Sequence, residues 1–180
     1  MGIERGTIMK LQKVRIKKTT KCDTRAIVGN FTKQDVLDDT LKHKSAVIDA
    51  CNAFAQGLIK QSNSHDYTKL GKYLSQFTKA LKSGLKGDEF KKLKWWEIHK
   101  TKERHHLNDF CPDDVNLIDV IEMLADCVCA GKARTGSVYP INIDSEILQK
   151  AVANTVELFK ESIELCQIRL EAIIKKGGTT

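Results

Sequence analysis

Proline is nearly missing from this chain, with two residues in 180. Proline breaks helices because it lacks an amide proton and its ring clashes with the preceding turn. Its scarcity leaves room for long helices. No apolar run approaches the roughly 20 residues that a membrane span needs. The N-terminus has no continuous apolar segment of the secretory kind. Six cysteines occur, Cys22, Cys51, Cys111, Cys127, Cys129 and Cys166, but no Cys-x-x-Cys pair. A zinc ribbon or thioredoxin-type site is therefore not indicated. Cys51 and Cys166 fall at apolar helical positions and read as small buried hydrophobes. Gly2 follows Met1, but position 6 is Gly6, so the myristoylation pattern fails. These absences predict no membrane partner and a reducing cytoplasm with free thiols.

What is present is an ordinary globular composition, 41% apolar and 29% charged. The length suits one domain with a core of its own. The net charge of +7 is uneven. Residues 10–21 carry six positive charges and no acid, and residues 79–104 form a second basic-rich region. Such a surface favours phosphate-bearing partners, such as nucleotides, nucleic acid or anionic lipid, among which charge alone does not choose. Residues 1–31 read as a basic arm in which Leu11, Val14 and Ile16 suit a short edge strand. Residues 32–176 read as the folded domain and 177–180 as a frayed tail.

The domain reads as helical throughout. Thr32 is an N-cap, with Asp35 in the first turn. Val36, Leu37, Leu41, Val47, Ile48, Phe54, Leu58 and Ile59 then follow at helical spacing. His43 shares a face with Val36 and Val47. Taken alone it is a core histidine bonded to a carbonyl. Ser64 is expected to cap a second helix, placing His65 and Asp66 at its start with Lys69 on the same face. Asp88 is expected to cap a third helix, which contains Trp95, Trp96 and His99. Pro112 marks the approach to a nearly apolar central helix, with Asp113 and Asp114 matching its dipole. Asp119, Glu122 and Asp126 lie on one narrow side of that helix. Carboxylates in a buried helix need a partner or a cation. A basic turn, Gly131 to Ser137, follows, and a last helix is predicted from Ser145 to about Lys175.

The histidines give the chemistry. All five, His43, His65, His99, His105 and His106, precede the central helix. Imidazole nitrogens with carboxylate oxygens are what a hydrolytic divalent-metal site uses. Mixed nitrogen and oxygen ligands suit Mn, Fe, Co, Ni or Zn.

The order of His43, then the doublet His65-Asp66, then Asp126 resembles the HD-domain metal-dependent phosphohydrolases. Trp96-x-x-His99, Arg104-His105-His106 and Glu122 to Asp126 look like a group of small HD-type proteins from phages and bacteria. The resemblance covers residues 33–135 and implies an all-α, HD-like bundle of about five or six helices. It implies that His43, His65, Asp66 and Asp126 hold one metal ion. Asp66 would bridge to a second ion on His99 and His105 or His106. Asp119 or Glu122 is the alternative late ligand. The ion would polarise a phosphoryl oxygen and lower the pKa of bound water. Asp66 and Lys69 would be the catalytic pair, while Lys69, Lys132 and Arg134 would neutralise substrate phosphate. The implied activity is hydrolysis of a nucleotide or related phosphoester, in the host cytoplasm if the chain is phage-encoded. The alternative is a non-catalytic nucleotide- or nucleic-acid-binding protein on the same scaffold, with Trp95 and Trp96 stacking on bases.

Overall fold

The computed structural model describes residues 9–18 and 30–166. In chain order its elements are β1 (Val14–Ile16), α1 (Lys33–Ser62), short 3-10 turns at Tyr67–Lys69 and Gly71–Tyr73, α2 (Leu74–Lys82), α3 (Gly87–Lys91), α4 (Lys94–Lys102), α5 (Leu117–Thr135), α6 (Ser145–Ser162) and β2 (Ile163–Leu165). The protein is all-α, with one small parallel ribbon pairing Val14 with Ile163 and Ile16 with Leu165.

α1 starts as its sequence dictates. The Thr32 hydroxyl accepts the Asp35 amide at 3.2 Å, and the Asp35 carboxylate accepts the Thr32 amide at 2.9 Å. This reciprocal capping box satisfies two otherwise orphaned donors. The C-terminal half of α1 packs on α5 through Ala53, Gly57 and Gln61. A Cβ on Gly57 would lie 3.0 Å from both Ile118 and Leu11 side chains, so this crossing is close. α5 is the central helix and α6 lies along it. Their shared core is Leu107, Val115, Val120, Met123 and Ala151, with Leu117, Leu124, Ile143 and Ile147 packed around it.

Several boundaries differ from the sequence expectation. His65 and Asp66 lie in a turn rather than a helix. Asp66 adopts a left-handed conformation, φ 57°, which interrupts helical propagation before the 3-10 turns. The third predicted helix is split into α3 and α4, and Asp88 sits in the first turn of α3 without capping it. α5 begins after Asn116, whose side chain accepts the Ile118 amide at 2.9 Å. Pro112, Asp113 and Asp114 therefore lie in the preceding loop. Asp144 caps α6, which ends at Ser162 because the chain turns extended to pair with β1. The rest of the predicted last helix, the tail and Cys22 lie outside the described residues. Cys51 and Cys166 are exposed rather than buried.

Gly131, in the last turns of α5, supplies the sharpest packing test. A Cβ there would lie 2.6 Å from the Ser137 carbonyl oxygen and the Tyr139 amide nitrogen, backbone atoms with no rotamer to yield. Glycine to alanine inside an unobstructed helix gains up to about 1 kcal/mol. Gly131→Ala is expected instead to lose about 1–3 kcal/mol through overpacking. A lower thermal midpoint in a circular dichroism melt is the expected reading, and a raised one would refute the close contact.

Candidate metal centre

Four segments bring chemistry to one place. The end of α1 and the following turn carry Gln61, His65 and Asp66. The first 3-10 turn carries Thr68 and Lys69. α4 and the loop after it carry His99, Glu103, Arg104, His105 and His106. One side of α5 carries Asp119, Glu122 and Asp126. Within α4, Trp95, almost fully buried, stacks on His99 with centroids 4.6 Å apart and planes 18° apart. The Trp95 indole donates to the Thr68 carbonyl at 3.2 Å, which ties α4 to the 3-10 turn. Trp95 is thus a structural anchor and not a free stacking surface.

Both outer histidines have one nitrogen committed and the other turned inward. His65 Nδ1 lies 2.8 Å from Glu122 Oε1 and, facing a carboxylate, must donate. Its Nε2 faces Asp66 Oδ2 and Asp126 Oδ1, each at 3.5 Å. On the other side, the Thr68 hydroxyl sits 2.6 Å from both Glu103 Oε1 and His99 Nδ1. A carboxylate only accepts, so the hydroxyl proton goes to Glu103 and the oxygen receives the His99 Nδ1 proton. His99 Nε2 then carries a lone pair, 2.7 Å from His106 Nε2 and 3.7 Å from Asp66 Oδ1. Histidine metal ligands are oriented in this manner by partners on the remote nitrogen.

The centre of the cluster is unsatisfied. His105 is 2% exposed, yet among the described residues neither ring nitrogen makes a hydrogen bond, Nδ1 standing 3.5 Å from Glu122 Oε1, and Asp66 Oδ1 makes none either. These two groups face each other at 3.9 Å. Leaving buried polar atoms unpaired costs about 1–3 kcal/mol each. Three overlapping sets put their ligand atoms within 4.8 Å of one another: His99, His105 and His106; His65, His105 and Asp126; Asp66, His99 and Glu103. Ligands at about 2.0–2.2 Å from one transition metal are spaced about 3–4 Å apart. The donor set is therefore one that can hold a metal ion.

The electrostatics divide the cluster in two. Hydrogen bonding to Asp126 and then Glu122 raises the His65 pKa to about 10. Asp126 is held at about 2, chiefly by His65. Burial pushes the Glu122 carboxyl up, but His105, His65 and Gln61 together outweigh it and hold the group at about 2. Burial, then the neighbouring His106 and Lys69, pushes His99 down to about 2. Burial and His105 bring His106 to about 4. One half is an imidazolium among carboxylates, and the other half is neutral imidazole.

The three candidate carboxylates of α5 have separate fates. Asp119 is fully buried and saturated by Arg104 Nε at 2.7 Å and Nη2 at 2.8 Å, Gln61 Nε2 at 2.8 Å and the Asn116 amide at 2.9 Å. Glu122 is occupied by His65 and by Gln61 Nε2 at 2.6 Å. Asp126 alone turns an oxygen toward the inward nitrogen of His65. His43 is not brought to the cluster. It is exposed and lies 18 residues, about 27 Å of helix, before Gln61 on the unbroken α1. Lys132 and Arg134 are exposed in the last turn of α5. There the helix end presents carbonyls, which attract cations and repel anions, so these side chains match the dipole rather than forming an anion cradle. Lys69 does join the site, 2.5 Å from Asp66 Oδ2. Sequence reasoning missed Gln61, Thr68, Glu103 and Arg104. Only Arg104 and Glu103 carried a hint, being charged residues immediately before the histidine pair.

Residues 32–167 match a family described as one of unknown function, DUF5662. No curated protein and no solved structure matches the chain.

Two outcomes test the geometry. The raised His65 pKa contributes stability that is fully present below its ordinary value of about 6.5 and is lost as pH climbs through about 10. The depressed Asp126 and Glu122 values contribute stability present above the ordinary carboxylate range of about 4 and lost as pH falls through about 2. The metal-free protein should therefore show a His65 ring that stays doubly protonated by nitrogen-15 NMR from pH 6 to 9. A titration midpoint near 6.5 would contradict the arrangement. Thr68→Val keeps the shape but removes the His99 partner. It is expected to weaken Mn or Zn binding about 10–100-fold by calorimetry, and unchanged affinity would show that Thr68 does not orient His99.

Proposed function

The chain belongs to the DUF5662 family, and we propose that it is a metal-dependent phosphohydrolase of the HD type acting on a nucleotide or related phosphoester. The observation that carries this reading is His105 against Asp66: both His105 ring nitrogens and Asp66 Oδ1 are buried atoms with no hydrogen-bond partner among the described residues, and Asp66 Oδ1 stands 3.7 Å from His99 Nε2. Such a centre is costly in a protein that holds only protons there, and it suits a cation.

His65, Asp66 and Asp126 would hold one ion. His99, with His105 and His106, would hold a second. When bound, a divalent ion of the Mn, Fe, Co, Ni or Zn class polarises a phosphoryl oxygen and lowers the pKa of its water. The chain supplies the rest. Glu122, itself fixed by Gln61, keeps the His65 Nδ1 proton in place so that Nε2 serves as the ligand. Thr68 and Glu103 do the same for His99. Lys69 is half-buried beside Asp66, with its ammonium positioned to neutralise a phosphate oxygen at the open side of the cluster. His65, Asp66 and Asp126 retain 23–30% side-chain exposure, whereas His99 and His105 form the closed floor at 1–2%. Substrate thus has one side from which to approach.

Elemental analysis of tag-free protein tests the reading directly. About one or two transition-metal ions per chain are expected, together with Mn-, Co- or Ni-dependent phosphate release from a nucleotide panel. The double variant His65→Ala with Asp66→Ala is expected to lose both metal and turnover, while His43→Ala keeps both. Full hydrolysis by the double variant would sink the proposal. Nucleotide binding without turnover under any metal would favour the non-catalytic alternative.

A further inference from the structure

The first 3-10 turn presents two faces. Asp66, Thr68 and Lys69 serve the histidine cluster. Tyr67, Leu70, Gly71, Lys72 and Tyr73 turn elsewhere and, with Lys102 of α4, line a pocket of about 540 Å³. That volume lies within the range of small-ligand sites. Tyr67 follows Asp66 in the chain and Lys102 precedes Glu103, so the pocket neighbours the cluster in sequence at two points.

Its lining is chemically specific. The Tyr67 and Tyr73 rings meet edge to face, with centroids 6.1 Å apart and planes 72° apart. They form a corner in which a flat ring can lie on one face with its rim toward the other. Leu70, 61% exposed, and Tyr67, 40% exposed, leave apolar surface open beside this corner. No carboxylate lines the pocket, but two lysines do. Lys72 Nζ stands 5.2 Å over the Tyr73 ring. Neither Lys72 nor Lys102 has an ion-pair partner among the described residues. A Cβ at Gly71 would meet nothing within 4 Å, so the floor is unobstructed. Planar aromatic surface beside unpaired ammonium groups suits a planar ring joined to phosphate. A plain sugar phosphate would leave the aromatic corner unused.

We infer that this pocket is the base-recognition site, and that the substrate class is a mononucleotide. Its base packs in the Tyr67–Tyr73 corner, and its phosphate runs past Lys72 and Lys102 toward Lys69 and the cluster. This rests on the phosphohydrolase reading for its consequence but not for its test. Stacking of a base on an aromatic side chain is typically worth a factor of about ten or more in affinity.

The test measures binding of AMP, adenosine and ribose 5-phosphate to EDTA-treated full-length protein by calorimetry. AMP should bind at least about tenfold more tightly than either fragment. Tyr73→Ala should bring AMP down to the ribose 5-phosphate level while leaving ribose 5-phosphate unchanged. Lys72→Ala with Lys102→Ala should bring AMP down to the adenosine level. Equal affinity for AMP and ribose 5-phosphate, or AMP affinity unmoved by the lysine pair, overturns the inference. A parallel assay follows phosphate release from AMP and ribose 5-phosphate by Mn-loaded protein. Discrimination in binding with no release from either sinks the phosphohydrolase reading and leaves the pocket standing. Equal release from both compounds without binding discrimination does the reverse.

Discussion

The buried carboxylate of Asp119 is the interaction on which the site depends. An unpaired carboxylate at that depth would be prohibitive, so it must be neutralised and fully hydrogen-bonded. Arg104 supplies the charge through two nitrogens, Gln61 and the Asn116 amide supply the remaining donors, and Arg104 extends the network to Asp114 at 3.0 Å. One carboxylate thereby joins the end of α1, the loop carrying the histidine pair and the first turn of α5. Asp119 also caps α5, so the same atoms set where the central helix begins. The network passes through Gln61 to Glu122 and on to His65, and in this way a structural requirement reaches the chemistry.

The two halves of the cluster hold their charge differently for one reason. Around His65 three carboxylates converge, and without a cation a proton takes its place, giving an imidazolium. Around His99 and His106 burial outweighs the attraction of the nearby carboxylates and keeps the imidazoles neutral, their Nε2 atoms sharing one hydrogen bond at 2.7 Å. Asp66 lies at the junction. Its left-handed backbone lets its two oxygens face different histidines, a conformation that costs a non-glycine residue something and is typical of functional turns.

Much of the fold was legible because its signals are local. The Thr32–Asp35 capping box, the helical spacing of α1, the near-apolar α5 and the short strand at Val14 all follow from nearest-neighbour physics. The errors are also local in origin. Proline and acidic residues at 112–114 resemble a helix start, but the capping chemistry of Asn116 and Asp119 wins because it also satisfies the buried arginine. The predicted helix at His65 fails because the turn must aim two adjacent side chains at one centre, and side chains in a helix diverge by about 100°.

The sequence by itself determined that this is a helical protein, that its histidines and acids are numerous enough to form a metal-type cluster, and that the His65-Asp66 doublet lies within it. Periodicity identifies which face of a helix is apolar, and composition identifies which donors exist. Neither identifies what stands opposite. Only the tertiary structure excluded His43, because an unbroken α1 carries it far from the doublet. Only it separated Asp126 from Asp119 and Glu122, which share a helical stripe but differ in what faces them: Arg104 and Gln61 for Asp119, Gln61 and His65 Nδ1 for Glu122, and His65 Nε2 for Asp126. Thr68 and Glu103, unremarkable in the chain, became part of the site through contacts across 31 and 35 residues. Such contacts are set by how helices pack, and packing depends on the shapes of all the faces at once.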